Sequence, residues 1–369
     1  MIRAHKIRLN PTAEQDVYLR RAVGVARFTY NWGLAEWKRQ YEAGLKPSAM
    51  GLKKQFNAIK GEQFPFVGEV LRDASNTGFE KLGKAFSNFF ASVTGKRSDK
   101  IGYPRFKSKK RSKQSFSMAN DKFRVEGNNL YVPKLGMVNM AEGLRFVGKI
   151  MTGTVSCVAG KWYVSITVDI EQSKPVEFQK KSVGIDLGLK TLATLSDGVE
   201  FENQKLLRSE LKRLRSLSRG LSRKQQGSNR WWKQKQKIAS FHQTITNRRS
   251  DAIHKMTTQI ATTYEIVGME DLHVKGMIRN RRLALSIADA AMGEVGRQLI
   301  YKKEWFGGIL QKVGRFFASS KTCSDCGYVN HELVLSARTW VCKGCGVINQ
   351  RDWNASKNIE SETLRLTGV

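Results

Sequence analysis

The sequence has few acidic residues, few prolines and no long apolar segment. Only 32 of its residues are Asp or Glu, and six are Pro. No run of 18 or more apolar residues occurs, which excludes a membrane-spanning helix of ordinary length. The first ten residues, MIRAHKIRLN, alternate charged and apolar side chains and so lack the apolar core of a secretory signal. The sequence therefore predicts a cytoplasmic protein without a membrane partner.

Positive charge is the feature in excess. The 369 residues include 64 Lys or Arg, so the formal net charge is +32 and the pI is about 10.1. Because solubility does not require so much charge, it predicts a polyanionic partner. Duplex nucleic acid carries two phosphates per base pair, so the charge matches roughly 16 base pairs and favours a long channel. A small acidic metabolite does not explain it.

The first half of the chain combines helix and strand patterns. Thr12, with Gln15 three residues later, has the sequence of a capping box. Apolar residues at three- and four-residue spacing then predict helices over residues 13–43 and 70–90. Short alternating runs broken by turns follow over residues 116–168 and predict strands. The expected domains are a small β-barrel and an inserted helical domain, over residues 1–15 with 98–178 and over residues 16–97.

Two segments concentrate the positive charge. Residues 96–113 hold nine Lys or Arg and one acid, and interleaved aromatic residues favour nucleic-acid contact over the alternative, a solvated linker. Residues 205–249 hold fourteen Lys or Arg and one acid, and leucines at helical spacing predict an antiparallel helical arm. For Trp231, packing of the arm against its neighbour is the alternative to nucleotide stacking. Candidate nucleic-acid contacts in these segments are Arg105, Lys107, Lys109, Lys110, Arg213, Arg230 and Trp231.

Four of the five cysteines form two Cys-x-x-Cys pairs. Cys323 with Cys326 and Cys342 with Cys345 are each followed by Gly, which can adopt the left-handed conformation that such a turn needs. Fifteen residues separate the pairs, and four thiolates fill a tetrahedral shell with no open position. We predict one structural zinc ion, and rubredoxin-like iron is the chemical alternative.

Three acids occupy positions suited to a hard metal ion. Asp186 and Glu270 each end an apolar run that predicts a buried strand, and Asp352 lies where a helix starts after the last cysteine pair. Carboxylates are the donors that Mg²⁺ prefers, and two such ions can hydrolyse a phosphodiester without a Ser or Cys nucleophile. Spacing alone does not select this triad, because 32 acids offer many triples. An Asp after a strand is also often only a turn former.

The order of the motifs resembles a known family. The chain contains KIRLNPTAEQ, ARFTYNW, IGYPRFKSKK and VPKLG, and then GIDLGLKTLAT, GMEDL, NRRLALSIADAAMGE, SSKTCSDCG, VCKGCG and RDWNASKNI. In this order they resemble TnpB, the transposon-encoded ancestor of the type V CRISPR nucleases, over essentially the whole chain. One difference is Gln350, where the family usually has an acid or His, and it leaves the fine tuning of the site open.

The resemblance implies an RNA-guided DNA endonuclease in a prokaryotic cytoplasm. A β-barrel wedge domain and a helical recognition domain would hold a transposon-derived guide RNA and read a short motif beside a double-stranded DNA target. An RNase H-like (RuvC) nuclease domain with two Mg²⁺ would then cut the DNA. A single copy of the protein in the complex is favoured. The implied catalytic and magnesium-binding residues are Asp186, Glu270 and Asp352.

The resemblance also implies domain limits and further contacts. The nuclease domain would cover residues 179–318 and 347–369, including the arm at 205–249, and the zinc ribbon would cover residues 319–346. Arg72 and Asn76, on the polar face of the second long helix, are candidates for reading the adjacent motif, and a plain solvent-facing role is the alternative. The remaining candidate nucleic-acid contacts are Arg281, Arg282 and Arg351.

Three other functions fit part of the sequence. A guided DNA-binding repressor without cleavage should have lost at least one acid, and all three are present. A transposase is disfavoured by the cysteine pairs between the second and third acids. An actin-like ATPase is suggested only by GIDLG, and the further phosphate-binding loops that it needs are not found.

Overall fold

The computed structural model describes residues 1–171, 176–334 and 336–368. The chain divides into two compact units, Met1–Glu171 and Gln172–Val369, and the expected mixture of helices and sheets is confirmed. Residues 172–175, 335 and 369, which belong to the predicted domains, lie outside the described residues. Among the helices described, none combines the length and the apolar character needed to cross a bilayer.

One strand and three helices begin the first unit. The strand is β1 (Ile2–Leu9), and the helices are α1 (Ala13–Glu42), α2 (Ala49–Gln63) and α3 (Arg72–Val93), with a 3₁₀ turn at Pro65–Glu69. The predicted capping box begins α1, because Thr12 Oγ1 accepts from the Gln15 N–H at 3.2 Å and Gln15 Oε1 accepts from the Thr12 N–H at 3.1 Å. Sequence periodicity did not separate α2, in which only Leu52 and Phe56 are buried.

Two antiparallel sheets complete the first unit. The strands are β2 (Gln114–Ala119), β3 (Arg124–Glu126), β4 (Asn129–Val132), β5 (Gly136–Asn139), β6 (Lys149–Val158) and β7 (Lys161–Asp169). One sheet has the order β1-β7-β6-β2 and the other β3-β4-β5. A bridge between Leu9 and Met140 joins the sheets, and their inner residues share one core with the helices. Closure into a barrel stays a prediction.

A mixed five-stranded sheet forms the centre of the second unit. Its strands are β8 (Lys180–Asp186), β9 (Thr191–Leu195), β10 (Glu200–Glu202), β11 (Tyr264–Glu270) and β12 (Ile309–Val313). The order is β10-β9-β8-β11-β12, in which β8, β11 and β12 are parallel and the first three strands are antiparallel. The predicted pair of strands around a glycine turn is the β8–β9 hairpin.

Helices between these strands include the predicted arm. They are α4 (Leu206–Ser209), α5 (Leu211–Ser222), α6 (Asn229–Thr263), α7 (Val274–Met277), α8 (Ala284–Ala290) and α9 (Met292–Phe306). Leu214 of α5 packs with Ile245 of α6 in a small separate core. Helix α6 continues beyond the predicted end of the arm at residue 249, because Ile253 and Ile260 are buried in the main core of the unit.

A small ribbon and a final helix end the chain. The ribbon strands β13 (Thr339–Val341) and β14 (Ile348–Gln350) pair antiparallel, and α10 (Arg351–Thr367) follows directly. Strand β14, the partner of β13, lies just after residue 346, the predicted limit of the zinc ribbon. Gln350, the position that differs from the family pattern, is exposed at the end of β14.

Candidate active site

Strand register places two of the predicted acids side by side. Strands β8 and β11 are parallel, with Ile185 opposite Met269. Asp186 and Glu270 are the next residues, at the carboxyl ends of the two strands. Side chains alternate between the faces of a strand, and Ile185 and Met269 are buried in the core on one face. The two carboxylates therefore lie next to each other on the opposite face.

Helix α10 covers that opposite face and carries the third acid. Gly184 and Gly268, each two residues before an acid, are points of close approach. A Cβ atom at Gly184 would overlap the Ser356 carbonyl oxygen, and one at Gly268 would overlap the side chain of Thr363. Asp352 lies in the first turn of α10, one turn before Ser356. The absence of two side chains thus lets the helix lie close to the strands that end in the acids.

The three carboxylates share one electrostatic environment. The pKa of Asp186 is raised to about 7, first by burial and then by the negative charges of Glu270 and Asp352. Arg351 and Arg338 oppose this shift with smaller effects. Glu270 and Asp352 can raise this pKa only if both lie close to Asp186. The three acids singled out from the sequence are therefore brought together.

Two side chains that the sequence did not predict contact the acids. Ser319 Oγ donates a hydrogen bond to Glu270 Oε1 at 2.6 Å. Arg338 Nη1 lies 3.3 Å from each carboxylate oxygen of Asp352. Ser319 is 49 residues from its partner and Arg338 is 14 residues from its own, so no local pattern indicates either contact. The SSKTC motif that contains Ser319 was the one available signal.

The acids fit Mg²⁺ by donor chemistry and by charge. Carboxylate oxygens are the ligands that this ion takes, and the raised pKa of Asp186 reports negative charge that a cation would neutralise. Within the described residues, only the four cysteines form a group of three or more whose ligand atoms all lie within 4.8 Å of one another. The oxygens of the three carboxylates do not all lie within that distance of one another.

The four cysteines form a compact cluster, with their Sγ atoms all within 4.8 Å of one another. The Sγ atoms of Cys323 and Cys345 are 3.8 Å apart, and those of Cys326 and Cys342 are 3.5 Å apart. A ZnS₄ tetrahedron with Zn–S bonds of about 2.3 Å has edges of about 3.8 Å, whereas a disulfide bond measures about 2.05 Å. The glycines after the two pairs have φ values of 75° and 73°, as predicted. The cluster therefore has the size of a four-thiolate metal site.

The nucleic-acid candidates of the first unit differ in their surroundings. Lys107 is half-buried, with its ammonium group 3.5 Å from the centre of the Tyr30 ring, and burial lowers its pKa to about 8. The side chain of Asn31 also bonds to the backbone of Lys107 at 2.8 and 2.9 Å, so this lysine fastens its segment to α1. Asn76 is half-buried and donates to Asp73 Oδ1 at 3.3 Å. The exposed candidates are Arg72, Arg105, Lys109 and Lys110.

The candidates of the second unit lie mainly on the arm and in one loop. The guanidinium of Arg213 lies 4.4 Å from the centre of the Phe241 ring. Trp231 is half-buried and meets Trp232 edge-to-face at 4.7 Å between ring centres. Lys235 lies 4.9 Å from the Trp231 ring, so a cation and an aromatic surface occur together. Arg351 is half-buried at the start of α10, and the exposed candidates are Arg213, Arg230, Arg281 and Arg282.

The second unit has a cationic cavity of about 250 Å³. Arg338, which contacts Asp352, lines it together with Lys190, Lys205 and Arg208. Asp289 also lines the cavity and is buried, and its carboxylate accepts from two backbone N–H groups of α4 at 2.9 and 3.0 Å. That acid is engaged with α4, so the four cations give the cavity the charge that a phosphate group requires.

Three family models match this sequence. Residues 165–281 match OrfB_IS605, described as "Probable transposase", and residues 293–359 match "Cas12f1-like, TNB domain". Residues 1–46 match a model described as "Helix-turn-helix domain" of OrfB_IS605. In this structure, residues 1–46 contain β1 and the single long helix α1.

Relatives of similar length support the same grouping. A Streptomyces pristinaespiralis protein named for RNA-guided DNA endonuclease activity is 36% identical over 366 residues, which cover 97% of this chain and 88% of the relative. InsQ of Escherichia coli K12, which is named for the same activity, is 33% identical over 377 residues, covering 97% and 91%.

A solved structure shares the fold. The protein in a cryo-EM structure of a Cas12f1–sgRNA–target DNA complex is similar with a TM-score of 0.55 and 13% sequence identity. The likeness covers 97% of this chain and 98% of that one.

Proposed function

Because this chain belongs to the TnpB (OrfB_IS605) family, we propose that it is a transposon-encoded, RNA-guided DNA endonuclease. It binds a guide RNA, recognises a short motif beside a double-stranded DNA target and hydrolyses phosphodiester bonds. The observation that carries this proposal is the convergence of Asp186, Glu270 and Asp352. The names of the two relatives support the same activity.

The proposed domains follow from this function. The mixed sheet with α10 on one face supports an RNase H-like nuclease domain, over residues 179–318 and 347–369. The wedge domain comprises residues 1–15 and 98–178, the recognition domain residues 16–97, and the zinc ribbon residues 319–346. One strand, β1, pairs with β7 although three helices separate them in the chain, which supports an inserted helical domain.

The chemistry follows from where the acids come from. Asp186 and Glu270 extend from adjacent strands and Asp352 from the helix that covers them, so three elements contribute hard oxygen donors to one region. Two bound Mg²⁺ ions would supply an activated water and stabilisation of the leaving oxygen. Arg338 and the lysines of the cavity would hold the phosphodiester by charge. Asp186 must be ionised to bind a cation, so its raised pKa favours activity above pH 7.

We assign zinc to the cysteine cluster. Four thiolates leave no position for substrate, so the metal is structural and its binding energy contributes to the folding of the ribbon. The Asn349 side-chain amide donates to the Cys323 sulfur at 3.5 Å and the Gly344 N–H donates to the Cys342 sulfur at 3.3 Å, as N–H groups around metal-bound sulfurs do. Metal analysis distinguishes zinc from iron, which the same shell accepts.

The partners are a guide RNA and duplex DNA, bound by a single copy of this chain. Guided recognition assigns sequence reading to base pairing, so the protein needs charge and shape more than side chains that read bases. The exposed arginines of the arm and the basic segment near residue 105 meet this need.

Guided cleavage of a plasmid library tests the proposal. The protein is co-expressed with the RNA encoded downstream of its gene and added to plasmids that carry a matching target beside a randomised flank. We expect cuts that require the match, one short flanking motif and added Mg²⁺, and that disappear in Asp186→Ala while RNA binding persists. A specific co-purified RNA without any cutting would instead indicate the guided repressor, and cutting by Asp186→Ala would remove that residue from the site.

A further inference from the structure

The segment that leads from β12 to the first cysteine pair contacts the proposed magnesium site. We name residues 319–324 the connecting segment. Its first residue, Ser319, is only 4% exposed, and its hydroxyl donates to Glu270 Oε1 at 2.6 Å. One oxygen of the Glu270 carboxylate is therefore fixed by a neighbour that is itself buried. The second oxygen remains available as a metal donor.

Helix α10 fastens the same segment. Asn358 Nδ2 donates to the carbonyl oxygens of Ser319 and Thr322 at 2.7 and 2.6 Å. Asn354 Nδ2 donates to the Thr322 carbonyl at 2.7 Å, and Asn354 Oδ1 accepts from the Ser324 N–H at 2.8 Å. Both asparagines are buried, at 8% and 2% exposure, so these hydrogen bonds are shielded from water.

These two asparagines lie on the helix that carries the third acid. They follow Asp352 by two and six residues, within the first two turns of α10. The connecting segment is thus bonded to Glu270 on one side and to the helix of Asp352 on the other. It sets the separation of the two elements that contribute these acids.

The cysteine cluster fixes the far end of the segment. Cys323 belongs to the connecting segment and is buried, and its sulfur accepts from Asn349 Nδ2 at 3.5 Å. Its Sγ atom lies 3.8 Å from that of Cys345, across the cluster. A metal held by these sulfurs therefore restrains a residue only four positions from Ser319.

We propose that Ser319 is a positioning residue for Glu270, and that the metal-filled cysteine cluster holds Ser319 in place through the connecting segment. In this way the metal in the cysteine cluster would control the position of Glu270, a ligand of the proposed magnesium site. This inference rests on the proposed function, because it assigns Glu270 as a magnesium ligand. Residues that hydrogen-bond to a metal ligand fix its orientation, and their loss typically weakens metal binding by about 10- to 100-fold.

Manganese binding by the full-length, zinc-loaded protein without RNA tests the role of Ser319. Mn²⁺ is titrated and the free ion is measured by electron paramagnetic resonance, with Glu270→Ala defining binding at the acids. We expect Ser319→Ala to weaken this binding by about 10- to 100-fold while zinc content and melting temperature stay unchanged. Ser320→Ala is the matched control and should bind as the wild type does, and Ser319→Thr, which keeps the hydroxyl, should restore affinity.

Removal of the cluster tests the coupling. The double variant Cys342→Ser, Cys345→Ser should lose zinc and weaken manganese binding to a similar degree, and adding Ser319→Ala should weaken it no further. Unchanged affinity in Ser319→Ala, or losses that multiply in the combined variant, would overturn the inference. Equal manganese binding by wild type and Glu270→Ala would instead contradict the proposed magnesium site itself.

Discussion

At the scale of single residues, Asp186 lies in an environment that disfavours its ionised form. Burial and two neighbouring acids raise its pKa to about 7, so ionisation is unfavourable in the metal-free protein. Protonation of Asp186 or a bound cation would relieve this unfavourable interaction. This unfavourable ionisation occurs at a residue of the proposed catalytic site, and shifted pKa values are typical of functional sites.

The stability of the metal-free protein should therefore depend on pH. The folded pKa of Asp186 lies near 7 and the unfolded one near 3.9, so the native state holds an extra proton between these values. Stability from this group is fully present below about pH 4 and falls as pH rises towards 7. Asp186→Asn removes the ionisable group, so its melting temperature should fall less than that of the wild type between pH 5.5 and 8.

Thermal melting without added Mg²⁺, in buffers that leave the cysteine cluster loaded, measures this difference. Added Mg²⁺ at pH 8 should raise the melting temperature of the wild type more than that of Asp186→Asn. Parallel pH profiles for the two proteins would show that Asp186 does not have the raised pKa.

The sequence identified the acids but not the residues that hold them. Asp186, Glu270 and Asp352 were candidates because each lies at the end or start of a regular element, and the family resemblance then selected them from the other acids. Ser319 and Arg338 act through contacts formed only after the chain has folded. The spacing of residues in the sequence does not indicate contacts between distant positions, so a structure was needed to find them.

At the scale of elements, the packing of α10 on the sheet is what assembles the site. The helix lies against β8 and β11 at two glycines whose missing side chains make room for it. Ala355 and Ile359 of α10 are also buried. Because Asp352 is in the first turn of this helix, a displaced helix would separate it from the other two acids.

Gly184→Ala should therefore destabilise the second unit by about 3 kcal/mol, near the upper end of the usual range for overpacking. The added methyl group would meet backbone atoms of Ser356 and Glu360, which cannot rotate away. Gly293→Ala in α9 is the matched control, since its nearest atoms lie 3.8 Å away, and it should be neutral or stabilising by up to about 1 kcal/mol. Urea unfolding measures the stability of both variants. Equal stability of the two would contradict the close approach of α10 to Gly184.

Element ends were predicted less well than element types. The strand hairpin after residue 180 and the helices α1 and α3 follow from alternation, periodicity and capping, and the structure has them. Helix α6 exceeds the predicted arm because one continuous helix serves two cores, first that of the arm and then that of the sheet. The pattern of charged residues indicates the part of α6 that belongs to the arm. It does not indicate the part that packs in the core of the sheet.

At the scale of the whole molecule, positive charge is the dominant property. The net charge of +32 is unevenly spread, with fourteen cations and one acid in residues 205–249 alone. Lys212, Arg215 and Arg219 are exposed on α5. Such a surface attracts a phosphate backbone without reading its sequence.

Guide-RNA affinity should fall linearly with salt on a double-logarithmic plot. Replacing Lys212, Arg215 or Arg219 with Gln should each reduce the steepness of this line by about one unit if its side chain contacts a phosphate. Arg365→Gln is the control, because that guanidinium is paired with Glu362 at 2.7 Å, and it should leave the slope unchanged. Filter binding between 50 and 300 mM salt provides the slopes, and identical slopes for all variants would exclude the arm as a phosphate contact.

The measurement that tests the central claim most directly is the rate of guided DNA cleavage by single and paired variants of the three acids. If Asp186, Glu270 and Asp352 hold one metal centre, each Ala variant should lose at least about a thousandfold in single-turnover rate, and any pair should lose little more than one alone. Guide-RNA affinity should stay within about twofold of the wild type. Wild-type cleavage by any single variant, or losses that multiply in the pairs, would contradict a shared catalytic site.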